Sequence, residues 1–394
     1  MADEGKDASD YHIGVHAHPD ELDAIAWDAL LAQQARPTPF MRHAYLRALV
    51  ASGSATADTG WAPVFFSLHR AGRLVGATAA WLKSHSYGEY VFDWAWADAY
   101  ARHGLDYYPK LLDAVPFTPV PGSRLLAEDD TARRLLLRTL RQWAQQTGLS
   151  SAHLLFLDED EQALAQAEGY MLRQGVQFHW HNRPDTPYAD FAEFLATLQR
   201  EKRKKIQQER RKVEASGVQF RVREGTQISE ADWDFFHHCY RLTYRAHRST
   251  PYLSRDFFTR MARELPAHWL MFIAERAGAP VAVSLLAIDR ARGAAWGRYW
   301  GATETIDCLH FEACYYQPLA WCIDQGFRRF EGGAQGEHKM ARGLLPVRTA
   351  SAHWLAHPEF SRAVEDFLAR EGAGMAGYLD ELRERNPFKT TTPE

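Results

Sequence analysis

Two stretches of the chain alternate apolar runs with a short glycine turn in the same way. Phe65 to Leu82, FFSLHRAGRLVGATAAWL, places Ala71-Gly72 between two runs of strand formers, and Met271 to Ile288, MFIAERAGAPVAVSLLAI, does so around Ala277-Gly278. Each predicts a β-hairpin. An aromatic stretch follows each hairpin, GEYVFDWAW in the first half and AAWGRYWGA in the second, and both read as strands. A tyrosine pair comes next in each, Tyr107-Tyr108 in a segment read as helical and Tyr315-Tyr316 in the second half. Leu309, Ala313, Tyr316, Ala320, Ile323 and Phe327 recur at three- and four-residue spacing, which predicts a helix on the sheet, kinked at Pro318. The repeated order of signals predicts a duplicated domain.

The fold class is therefore α/β (α+β), with two tandem units, each a mixed and largely antiparallel sheet flanked by helices. The expected boundaries are a disordered N-terminus over 1–10, an N-terminal unit over 11–185, a basic linking helix over 186–217 and a C-terminal unit over 218–394 that carries the main site.

Eight of the thirteen residues from Arg200 to Lys212, REKRKKIQQERRK, are basic, and good helix formers dominate. Lysines and arginines on successive turns, Arg203, Lys204, Lys205 and Arg211 among them, suit the phosphates of a carrier such as coenzyme A or a tRNA; the rival reading is a solvated face. With a formal net charge of -4 over 394 residues, the chain offers polyanions no general attraction, and no helix-turn-helix or zinc-finger pattern points to duplex DNA.

The polar crowd from Glu331 to Trp354, EGGAQGEHKMARGLLPVRTASAHW, follows a predicted strand, where α/β folds place ligands. Imidazole and carboxylate side chains beside glycines are groups that can move protons in such a site. The candidate bases are Glu337 and His338, or His310 and Glu312. Glu331, Gln335, Lys339, Arg342, His353 and Trp354 are the candidate substrate contacts beside them, and Lys83, His85, Tyr87, Glu89 and Asp93 are the matching cluster in the first half. Scattered His and Glu without HExxH spacing predict no metal. Four cysteines without CxxC spacing read as reduced thiols. The polar, acidic start MADEGKDASD and the lack of a long apolar run predict a cytoplasmic protein with no integral membrane segment; oligomeric state is left open.

LRALVASGSA, the stretch from Lys83 to Leu126, QFHWHN, REKRKKIQQERRK, HFEACYYQPLAWCI and the Glu331–Trp354 segment resemble the FemAB-like bacterial proteins, predicted N-acyltransferases related to the Fem aminoacyltransferases and the GNAT acetyltransferases. The resemblance spans about Leu46 to Trp354. It implies two GNAT-like modules in tandem and transfer of an acyl or aminoacyl group to the amine of a small molecule or peptide, with acyl-CoA or aminoacyl-tRNA as donor and hence tRNA as a candidate partner. It also implies a donor arm lying between the strands Ala294–Gly301 and Arg328–Glu331. RYWGAT, with Arg298 and Gly301, is a degenerate form of the acetyltransferase pyrophosphate loop, which keeps both donor classes open. The alternative function is a non-catalytic binding module for a cell-wall precursor or RNA.

Overall fold

The computed structural model describes residues 10–334 and 336–389. The chain forms two compact units, one of residues up to Gly175 with Thr349–Ala376, the other of Val176–Arg348 with residues from Gly377 onward. Among the described residues thirteen strands supply their sheets: β1 (Tyr11–His16), β2 (Trp61–Arg70), β3 (Arg73–Lys83), β4 (Lys110–Asp113), β5 (Leu126–Ala127), β6 (Ser151–Leu154), β7 (Met171–His181), β8 (Val218–Glu224), β9 (Trp269–Arg276), β10 (Ala279–Asp289), β11 (Ala294–Ala302), β12 (Arg329–Glu331) and β13 (Leu345–Leu355).

In the first unit β1, β2, β3 and β4 pair antiparallel in that order, β4 runs parallel to β6, and β6 pairs antiparallel with Ala352–Leu355 of β13. The second unit repeats the plan: β8, β9, β10 and β11 antiparallel, β11 parallel to β12, and β12 antiparallel to His179–His181 of β7. Each unit is thus a mixed, largely antiparallel sheet flanked by helices. The closing strand of each sheet, however, is drawn from the other half of the chain.

Both predicted hairpins form, β2–β3 and β9–β10. Their turns hold Ala71 at φ 50° with Gly72 at φ 74°, and Ala277 at φ 52° with Gly278 at φ 80°. Two successive positive φ values are the mirror-image turn whose twist matches the flanking strands. No strand forms at GEYVFDWAW: Gly88–Asp93 is turn and loop, and a helix runs from Trp94 to Arg102. Its alternating tryptophans and alanines mimic a two-residue period, but alanine favours helix, and Trp96 and Tyr100, four apart, form the buried face. Tyr107 and Tyr108 precede β4 rather than lying in a helix. The kink expected at Pro318 is a five-residue π-turn, Glu312–Tyr316, between the helical pieces Leu309–Phe311 and Gln317–Asp324. The wider turn accommodates a proline that has no N–H to offer the preceding turn.

The helix Asp130–Gln146 shows how one face is chosen. Asp129 caps it by accepting from Ala132 N at 2.8 Å, and Leu136, Leu137, Leu140 and Ala144 enter the first core with Leu68, Leu111 and Leu154. The second core packs Phe178, Trp180, Phe272, Leu286, Leu319 and Phe330. Fully burying each such side chain contributes about 1.5–3 kcal/mol. Among the described residues no helix is long and apolar enough to cross a membrane.

Candidate functional site

β11 and β12 run side by side only from Ala294/Arg329 to Trp296/Glu331; β12 then ends while β11 continues to Ala302. The fork between them opens at Gly297 and Gly332-Gly333. Beyond it the chain turns through Gly336 at φ 117° into a short 3₁₀ helix, Glu337–Arg342, which folds back on the fork. A Cβ on Gly332 would meet Leu344 at 2.7 Å and the Lys339 stem at 3.3 Å, so glycine there makes room for the lysine. Lys339 is 3% exposed and its Nζ donates to Gly333 O at 2.9 Å. Burial lowers its pKa to about 8.

Around this lysine the second unit gathers an imidazole and a fixed guanidinium. The helix Arg200–Ala215 buries Ile206, Glu209 and Val213, one stripe of its surface. Buried Glu209 accepts from Arg342 Nη2 at 3.2 Å and from the Tyr316 hydroxyl. Arg342 also donates to His338 O at 2.8 Å and lies 3.7 Å over the Phe311 ring. These contacts occupy Arg342 in holding the loop to the helix. The exposed His338 ring reaches the Tyr315 hydroxyl at 3.3 Å. Burial of part of the ring, then the charges of Arg342 and Lys339, hold its pKa below the usual imidazole value. His310, edge-on to Trp300 at 5.4 Å, is lowered by burial first and then by His338, Arg342 and Lys339.

Glu312, at the start of the π-turn, accepts from Arg210 Nε at 3.2 Å and from Gln317 Nε2 at 2.7 Å. It lines a groove of about 730 Å³ whose other walls include Arg210 and Arg211 of the basic helix.

The remaining sequence candidates scatter. Glu337 is engaged elsewhere, accepting from Tyr378 OH at 2.8 Å and Arg385 Nη1 at 2.9 Å. Glu331 is buried and paired with Arg329 at 3.0 Å. Arg298 donates to its neighbour Tyr299 at 3.1 Å. A Cβ on Gly301 would come 2.3 Å from Cys239 O, so this glycine permits close passage of the helix Glu230–Ala246 across β11. Arg203, Lys204 and Lys205 lie on the basic helix with no ion-pair partner among the described residues, whereas Arg211 faces the groove. Gln335 lies outside the described residues. His353 and Trp354 belong to the first unit, where His353 Nδ1 meets His153 Nδ1 at 2.8 Å and Trp354 packs on the core.

In the first unit Glu89 and Asp93 converge on Lys110, which the sequence reading missed because a lone lysine in a four-residue strand gives no signal. Lys110 Nζ donates to Glu89 Oε2 and Ser86 Oγ at 2.8 Å each and pairs with Asp93; Tyr107 OH donates to Asp93 at 2.7 Å. Lys110 and Glu89 are almost wholly buried. Breaking such a pair costs about 3–5 kcal/mol, against at most about 1 for an exposed one, so this cluster holds its loop in place. Lys83, opposite Lys110 on β3, lies 3.6 Å over the Trp61 ring, and burial lowers its pKa to about 7. His85 contacts Thr59 O at 3.0 Å, and Tyr87 stands exposed beside Trp94.

The profile of the FemAB-like family, described as peptidoglycan biosynthesis/recognition, matches residues 18–390. No curated protein is significantly similar in sequence. Among solved structures, FemX superposes with a TM-score of 0.54 at 10% identity, over 90% of this chain and 100% of its own. The C-terminal domain of a putative lysylphosphatidylglycerol synthetase from Agrobacterium fabrum gives 0.54 at 10% identity, over 89% and 96%. L-PGS from Bacillus licheniformis gives 0.54 at 12%, over 89% and 96%. At these identities the likeness is one of fold.

Proposed function

Because the chain belongs to the FemAB-like family, we propose that it moves an acyl or aminoacyl group from a phosphate-bearing carrier, acyl-CoA or aminoacyl-tRNA, to an amine. The reacting carbonyl is placed at the fork between β11 and β12. The observation that carries this reading is Lys339, buried at the fork, whose ammonium makes its only hydrogen bond among the described residues to Gly333 O.

As the amine attacks, charge develops on the carbonyl oxygen, and a donor already fixed in a water-poor site stabilises it without reorganisation. Lys339 Nζ supplies that donor. His338, held neutral near pH 7 and oriented by Tyr315, takes the proton that the attacking amine must lose. Arg342, committed to Glu209 and the His338 carbonyl, positions this loop. Arg203, Lys204 and Lys205 take the carrier phosphates. Glu337, tied to Arg385, is left without a role in proton transfer.

Lys339→Gln tests the reading in single-turnover transfer from acyl-CoA and from charged tRNA to a panel of amines. The expected loss is about 10²–10³-fold in rate, the usual effect of removing one oxyanion donor, with thermal midpoint retained. Full turnover by the folded variant removes Lys339 from the chemistry.

A further inference from the structure

The groove beside the basic helix carries opposite charges at close quarters. Gln207, Arg211 and Glu214 follow one another along a single helix face, and buried Glu312 lies across from them with Gln317. Two carboxylates make this a poor seat for a phosphate, and Arg210 and Arg211 make it a poor seat for a bare ammonium. An uncharged acyl chain would leave the polar groups unpaired. Leu195, Val213, Val218 and Phe220 supply the remaining wall, which is apolar. A cavity of about 730 Å³ is of the size that holds a small molecule. Glu312 Oε1 is satisfied by Gln317 at 2.7 Å, while Oε2 takes only a contact at 3.3 Å shared with Arg210 Nε, so it has lone pairs to offer.

We propose that this groove binds a single amino acid with an apolar side chain, its α-ammonium on Glu312 and its α-carboxylate on Arg211. Resting on the transferase reading above, this makes the amino acid the acceptor. Glu312 opens the same π-turn that carries Tyr315, the partner of His338. The ammonium loses one proton to the base, and its nitrogen forms an amide bond with the acyl carbon. The carrier's C–S or C–O bond breaks, and the departing sulfur or oxygen takes the second proton.

The test is calorimetric titration of the full chain, without donor, with L-leucine, L-leucinamide, N-acetyl-L-leucine and leucyl-leucine. Leucine should bind at least about tenfold more tightly than either blocked form, the loss expected when a charged contact is removed. Arg211→Gln, at an exposed position, should abolish the preference over leucinamide. Glu312→Gln should abolish the preference over N-acetyl-leucine. Equal binding of all forms, absence of leucine binding up to about 10 mM, or variants that keep both preferences overturn the proposal; tighter binding of leucyl-leucine replaces the amino acid by a peptide and also overturns it. Leucine binding without transfer sinks only the transferase reading, and transfer to other amines without leucine binding sinks only this one.

Discussion

His338 and Lys339 are adjacent in sequence, yet the proposed transfer asks for opposite protonation states from them. The imidazole must be neutral, and its pKa lies below the usual 6.5; the ammonium must keep its proton, and its pKa is about 8. The rate should therefore rise as pH climbs through the depressed imidazole value and fall above about 8. In Lys339→Arg the guanidinium stays charged throughout, so the alkaline fall should vanish from whatever activity remains. A wild-type kcat/KM profile that stays level well above pH 8 excludes the lysine as donor. At this scale the sequence showed that polar side chains crowd after the β12 strand, but not which of them face one another. Glu337 is claimed by Arg385, 48 residues later, and Arg342 by Glu209, 133 residues earlier. Such partners are set by packing of distant segments and leave no local pattern.

The basic helix Arg200–Ala215 was legible from its composition, but the expected single helix over 186–217 is broken at extended Leu198, which separates it from the helix Phe191–Thr197; its cations divide once its buried stripe is known. With Ile206, Glu209 and Val213 turned inward, Arg203, Lys204 and Lys205 have no ion-pair partner among the described residues, and Arg211 lines the groove. If the three grip a tRNA, replacing them with glutamine should flatten the dependence of log affinity on log salt by about 2, since each contact with a single strand contributes roughly 0.7. An unchanged slope returns them to solvent. The hairpins were legible because an Ala-Gly pair between strand formers has few other uses. The helix Trp94–Arg102 was not, because alternation of large and small residues satisfies the two-residue period while Trp96 and Tyr100 satisfy the helical one. Only the neighbours that bury those two rings decide between them.

At the level of the molecule, the repeated plan was visible in the order of signals, but the exchange of closing strands was not, since a strand's sequence does not name its partner. β7 follows the first half in sequence yet pairs with β12, and β13 follows the second half yet pairs with β6. Residues 1–185 and 186–394 expressed separately should each lack a closing strand and show no cooperative thermal transition, whereas co-expression should restore one. A cooperative transition in either half alone would show that the exchange is dispensable.

The exchange also has a temporal side. His153 of β6 meets His353 of β13, 200 residues later. At about 5–20 residues per second, the ribosome leaves the outer edge of β6 uncapped for roughly 10–40 s. During that interval it is a bare template for strands of other nascent chains, so the yield of active protein should depend on how well the cell shields unfinished polypeptides.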